Sequence, residues 1–117
     1  MKEVKQFMRS VRYAFLGLRQ AWKSEQNFRV QTFIGCVVFL AAWYVRLSSL
    51  RVIVVVLLVT LVLVLELLNT FFERLVDLLS PRVHDYAAML KDLLAAAVLV
   101  ASLGAAVAGV LIFLPYL

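Results

Sequence analysis

The chain has 117 residues, 65% of them apolar, with a mean hydropathy of +0.99. A soluble domain carries about 45–50% apolar residues, so this composition excludes a soluble globular protein and predicts one membrane domain over residues 1–117. The net charge of +5 is gathered beside the first apolar run, which favours anionic headgroups and excludes nucleic acid, because no soluble basic domain exists to form a groove.

Residues 2–24 predict an amphipathic helix. Val4, Phe7, Met8, Val11, Phe15, Leu18 and Trp22 share one face, with Lys2, Lys5, Arg9, Arg12 and Lys23 on the opposite face and its flanks. A basic helix with Phe and Trp on its apolar side lies in the membrane interface. The plainer alternative packs that face on the protein's own core, and both can hold. The long basic region, with no small-residue cleavage site after the first apolar segment, argues against a secretory signal.

The first span is expected over 28–47, with Trp43 and Tyr44 as interfacial aromatics near its far end. Cys36 lies inside it and reads as a buried spectator thiol; a single cysteine makes no intrachain disulfide. Leu47 to Arg51 reads as a short turn. The second span starts near Val52, and its helix continues past the membrane to residue 78, where Ser80-Pro81 stops it. His84 and Asp85 are placed in the loop that follows. The third span is expected over 86–114, and its Ala- and Gly-rich centre from Ala95 to Gly109 permits close helix approach. The fold class is therefore an all-α membrane protein, with one interfacial helix and three transmembrane helices.

Lys and Arg set the orientation. Lys2, Lys5, Arg9, Arg12, Arg19, Lys23 and Arg29 precede or open the first span, and Arg74, Arg82 and Lys91 lie between the second and third. Only Arg46 and Arg51 flank the first turn. The positive-inside rule puts the N-terminus and the second loop in the cytoplasm.

The second span carries the most informative pattern. Glu66, Asn69, Thr70, Glu73 and Asp77 fall within a stripe about 100° wide on one helix face. A carboxylate near a bilayer centre costs about 2.5–3.5 kcal/mol even on lenient insertion scales, so this face needs a polar partner. Glu66, Glu73, Asp77, Asp92 and Glu25 are all expected at the cytoplasmic boundary, and several carboxylates around one point call for a cation. Mg2+ takes carboxylate oxygens and keeps substrate phosphates as further ligands, and Lys91 supplies a point charge for a transferring phosphoryl group. A carboxylate in low dielectric is suited to general-base work on an alcohol. Together these point to phosphoryl transfer from a nucleotide to a membrane-borne hydroxyl. No Gly-rich phosphate loop or HRD-type motif is present, which excludes the familiar soluble kinases. Plainer readings exist: Glu73, Arg74 and Asp77 as surface pairs on one helix, Lys91-Asp92 as a solvated helix start, His84 as an ordinary exposed histidine, and Tyr13 and Trp22 as interface anchors.

The pattern Glu66-x-x-Asn69-Thr70-x-x-Glu73-x-x-x-Asp77, with His84 and then Lys91-Asp92 ahead of Ala95-Ala96-Ala97, resembles the prokaryotic diacylglycerol kinase and undecaprenol kinase family. Ala14 to Leu18 and Ala21 to Arg29 match the N-terminal helix of that family and its junction with the first span. The resemblance covers nearly the whole chain. It implies a homotrimer in the bacterial inner membrane, with active sites between subunits, ATP as donor and a membrane lipid alcohol as acceptor. It implies Glu66 as general base, Glu25 and Glu73 as Mg2+ ligands, Asn69 against the phosphates or the metal shell, and Lys91 against the transferred phosphoryl. Asp77, His84 and Asp92 would help form the nucleotide pocket.

Two positions depart from the family pattern: Phe71 and Leu94 stand where small residues are common, and they can narrow the lipid cleft or repack the second and third spans. The Lys23–Arg29 junction is closer to the undecaprenol kinase branch, with diacylglycerol kinase as the alternative. A holin-like protein or a small proton-coupled transporter would also be short and three-spanned. The first needs no aligned carboxylates, and the second would carry its acid nearer mid-bilayer.

Overall fold

The computed structural model describes residues 1–79 and 84–117, and the side chain of His84 lies outside that description. Four α-helices follow one another: α1 (Lys2–Ser24), α2 (Gln26–Val45), α3 (Ser49–Leu79) and α4 (His84–Phe113), with a 3-10 turn over Leu114–Tyr116. The last three helices are long and apolar enough to cross a membrane. The predicted all-α class and the three spans are both observed.

α3 packs against both α2 and α4, and Gln31 on α2 also donates to Ser102 Oγ on α4 at 3.4 Å. The molecule measures 52 × 46 × 21 Å, so its thinnest dimension is about two helix diameters. A layer this thin leaves most Leu, Val and Phe side chains of the spans uncovered, as lipid rather than water is their solvent. The buried cluster of Ala42, Leu47, Val55 and Ile112 sits at the end bearing the 46–48 turn. Gly35 admits the close approach of α2 to α3, since a Cβ there would meet Val59 Cγ1 at 2.9 Å.

Helix ends are decided by backbone chemistry that periodicity does not report. α2 stops in a Schellman motif: the N–H of Arg46 donates to the Trp43 carbonyl, and that of Leu47 to the Ala42 carbonyl at 3.1 Å. Leu47 and Ala42, the pair whose contact accompanies this motif, are both buried. The motif needs a left-handed residue, and Arg46 fills it at φ 57°, ψ 58°. Replacing Arg46 with glycine removes that strain but adds chain entropy to the unfolded state, for a net gain of about 0.5–1 kcal/mol. The expected result is a higher unfolding midpoint for R46G in mixed micelles, and a lower one would show that the Arg46 side chain contributes more than its backbone costs.

Several boundaries differ from expectation. α3 begins at Ser49, so Arg51 is helical rather than part of the turn; its Nη1 donates to the Ile112 carbonyl at 2.5 Å, and its guanidinium lies 5.8 Å from the centre of the Tyr116 ring. His84 and Asp85 open α4 instead of preceding it, as an acidic residue in the first turn favours. Ser80 and Pro81, the expected stop signal, lie outside the described residues. Cys36 is exposed, not buried, because the neighbouring Gly35 takes the contact with α3 and the next residue points about 100° away. The small residues of α4 do not all serve close packing: nothing lies within 4 Å of a Cβ built at Gly104 or Gly109.

α1 packs on the bundle only near its C-terminal end, where Ala21 is its one buried residue. Phe7 and Phe15 on its apolar face are each 67% exposed. The chain's own core therefore leaves these two side chains uncovered.

Candidate active site

Glu25 is a single extended residue (φ −117°, ψ 107°) between α1 and α2. Two arginines hold this corner. Arg29 Nη1 donates to the carbonyls of Trp22 (2.6 Å) and Lys23 (3.2 Å), satisfying groups that the end of α1 leaves unpaired. Arg74, reaching over from α3, donates from Nη2 to Ser24 Oγ at 2.6 Å and lies 3.5 Å from Glu25 Oε1. The Ser24 hydroxyl in turn donates to the Gln20 carbonyl at 2.7 Å. The corner is thus pinned to α3, and Glu25 is brought to the same region as the stripe.

The stripe itself forms as helical periodicity requires. Glu66 is buried, only 5% exposed, within an otherwise apolar stretch of α3. Its charged neighbours are Glu25 and Glu73, so three carboxylates contributed by two parts of the chain act on one another. Thr70 Oγ1 donates to the Glu66 carbonyl at 3.1 Å, so its hydroxyl is engaged on its own helix. Asn69 Oδ1 is buried without a hydrogen-bond partner among the described residues. An orphaned buried acceptor costs about 1–3 kcal/mol, and its partner must be a donor or a cation.

Further along, Lys91 Nζ meets Asp77 Oδ1 at 2.6 Å and also faces Glu73. The pair joins the start of α4 to α3 about 16 Å beyond Glu66 along the helix axis. Asp92 is exposed and enters no ion pair among the described residues. His84 opens α4, and its side chain lies outside the description.

Of the predicted site residues, then, Glu25, Glu66 and Glu73 are brought together, Asn69 lies beside them, and Asp77 with Lys91 forms a second group. Arg74 is the residue the sequence reading missed. A pairing within α3 was the plain expectation for it, but its partners lie some fifty residues upstream. No group of three Asp, Glu, His or Cys side chains converges tightly enough to hold a metal ion alone among the described residues. That does not oppose Mg2+, which is commonly held by one or two carboxylates with substrate phosphates and waters completing the shell. An all-oxygen donor set with an orphaned amide oxygen fits such a hard cation.

Between α1 and α3 runs a groove of about 600 Å3. Its walls are apolar, including Leu18, Leu67, Phe71 and Leu78, and its polar lining consists of Gln20, Thr70 and Arg74. Phe71 is 58% exposed and stacks edge-on against Phe72 at 5.2 Å. Leu94, the other enlarged position, is half-buried on α4 and is not part of this wall.

Comparison with known proteins agrees with this chemistry. The prokaryotic diacylglycerol kinase family model matches residues 12–113. The chain is 41% identical over 107 residues to a diacylglycerol kinase of Synechocystis sp., covering 91% of this chain and 61% of that protein. It is 35% identical over 115 residues to an undecaprenol kinase of Bacillus subtilis, covering 98% of this chain and 94% of that protein. To a diacylglycerol kinase of Escherichia coli it is 30% identical over 89 residues, covering 76% and 73%.

Proposed function

Because the chain belongs to the prokaryotic diacylglycerol kinase family, we propose that it is an integral-membrane lipid kinase that transfers the γ-phosphate of ATP to the hydroxyl of a membrane lipid alcohol. The observation that carries this reading is the buried carboxylate of Glu66 in an apolar stretch of α3, with Glu25 and Glu73 as its charged neighbours.

In this reading Glu66 accepts the proton of the lipid hydroxyl, whose oxygen attacks the γ-phosphorus as ADP departs with the bridging oxygen. Glu25 and Glu73 would hold Mg2+, which when bound would neutralise charge on the phosphates. Asn69 would offer its orphaned Oδ1 to that cation or to a water bound to it, a role an acceptor fills better than direct contact with a phosphate oxygen. Lys91 neutralises the transferred group, and its ion pair with Asp77 fixes where the ammonium waits. Asp77, His84 and Asp92 border the nucleotide. The chain acts as a single domain over 1–117, with its N-terminus and site in the cytoplasm of a bacterial cell. It assembles as a homotrimer that covers part of the exposed apolar surface.

Undecaprenol is the favoured acceptor, supported by the near end-to-end match with the Bacillus subtilis undecaprenol kinase. Diacylglycerol is the second reading, supported by the 41% identity to the Synechocystis diacylglycerol kinase. Purified protein in mixed micelles, given labelled ATP, Mg2+ and each alcohol in turn, tests both. Phosphorylation of neither lipid by folded protein would end the kinase reading.

Phe71 is expected to shape the preference. Phe71→Ala widens the groove and should raise kcat/KM for diacylglycerol relative to undecaprenol by about tenfold, the scale on which pocket size discriminates apolar groups. An unchanged ratio would remove position 71 from substrate selection.

A further inference from the structure

Among the described residues, Arg74 is the one charged side chain that lines the groove between α1 and α3. Two other cations near the stripe are engaged elsewhere among the described residues. Arg29 caps the carbonyls of α1, and Lys91 is bound to Asp77 at 2.6 Å. Arg74 is held differently. Among the described residues its one hydrogen bond runs from Nη2 to Ser24 Oγ at 2.6 Å, while Glu25 lies at 3.5 Å, and its side chain is 52% exposed. A half-exposed ion pair at that distance contributes about 0–1 kcal/mol and does little to oppose a second anion. The serine anchor orients the guanidinium, leaving Nε and Nη1 without a partner among the described residues.

A guanidinium with two free donor positions matches the oxygens of a phosphate, which accepts parallel hydrogen bonds from its fork. The groove selects the kind of phosphate. Its remaining lining is almost wholly apolar, so an anion reaching Arg74 from within the groove must carry a lipid chain. A neutral lipid alcohol gains little from the guanidinium, whereas a phosphate monoester carries about −1.5 to −2 charges at neutral pH. We propose that Arg74 recognises the phosphate of a lipid monophosphate seated in the α1–α3 groove, so that the site distinguishes phosphorylated product from alcohol substrate. This deepens the lipid-kinase reading and rests on it for the identity of the product.

The test measures binding without nucleotide or metal, so that it is independent of turnover. Purified wild type, R74Q and R74K in nanodiscs are titrated with undecaprenyl phosphate, with phosphatidate, with the two parent alcohols, and with inorganic phosphate. Wild type is expected to bind the lipid monophosphates about tenfold more tightly than their alcohols, the scale of one charge-assisted contact. R74Q should erase that preference while binding the alcohols as wild type does, and R74K, which keeps the charge but not the fork, should fall between them. Equal weakening of alcohols and monophosphates by R74Q would reduce Arg74 to a packing role and overturn the proposal. So would unchanged monophosphate binding in R74Q or R74K, or competition by inorganic phosphate as effective as the lipid's. If R74Q does not fold, a threefold or greater loss of monophosphate binding in R74K sustains the proposal. Arg74-dependent binding in a protein that phosphorylates neither lipid would leave this assignment standing and end the kinase reading alone.

Discussion

Glu66→Gln is expected to lower kcat for lipid phosphorylation by about 10²–10⁴-fold, the usual contribution of a positioned general base. The substitution keeps the shape and volume of the side chain and removes only its capacity to accept a proton. Its effect on stability should have the opposite sign. Glu66 is buried in an apolar stretch beside two other carboxylates, so the folded protein bears an uncompensated desolvation and repulsion that the neutral amide relieves. A gain of about 1 kcal/mol or more in resistance to unfolding is expected, as when a strained functional group is neutralised. Loss of activity together with gain in stability identifies a catalytic residue. Loss of both would mean that Glu66 holds the bundle together, and retained turnover would remove it as the base.

Glu25→Gln and Glu73→Gln are expected to raise the Mg2+ concentration needed for half-maximal rate by about 10–100-fold, the range over which residues at a metal site act. Mn2+ binding in the presence of a non-hydrolysable ATP analogue, followed by paramagnetic resonance, reads the same loss without catalysis. The two substitutions should differ in one respect. Glu25 is also the ion-pair partner of Arg74, so Glu25→Gln loosens the corner between α1 and α2 as well as the metal site. Combined with Arg74→Gln it should therefore show coupling in a double-mutant cycle, while Glu73→Gln combined with Arg74→Gln should be closer to additive. Unaltered Mn2+ binding in both single variants would exclude these carboxylates as ligands.

The stripe on α3 was legible in the sequence because a helix converts spacing into direction. Once residues 66–77 are helical, Glu66, Asn69 and Glu73 share a face whatever surrounds them. The spans were legible for the same kind of reason, as length and apolarity alone decide whether a segment can cross a bilayer. What escaped depends on contacts between segments far apart in the chain. Arg74 pairs with Glu25 and Ser24 because a one-residue corner turns α1 back toward α3, and no local pattern reports where that corner points. The exposure of Cys36 depends on which face of α2, apolar on all sides, meets α3, and Gly35 decides it. Arg46 ends α2 in a conformation usually assigned to glycine. The orphaned acceptor on Asn69 is a fact of its surroundings and leaves no mark in the order of residues.

The cluster of Ala42, Leu47, Val55 and Ile112, with the Arg51 guanidinium fastened to the last turn of α4, lies at the end of the spans away from Glu66. The other end has ties of its own, Arg74 on Ser24 and Lys91 on Asp77. The bundle is thus stapled at both ends, and the apolar stretches between the staples are left to meet lipid.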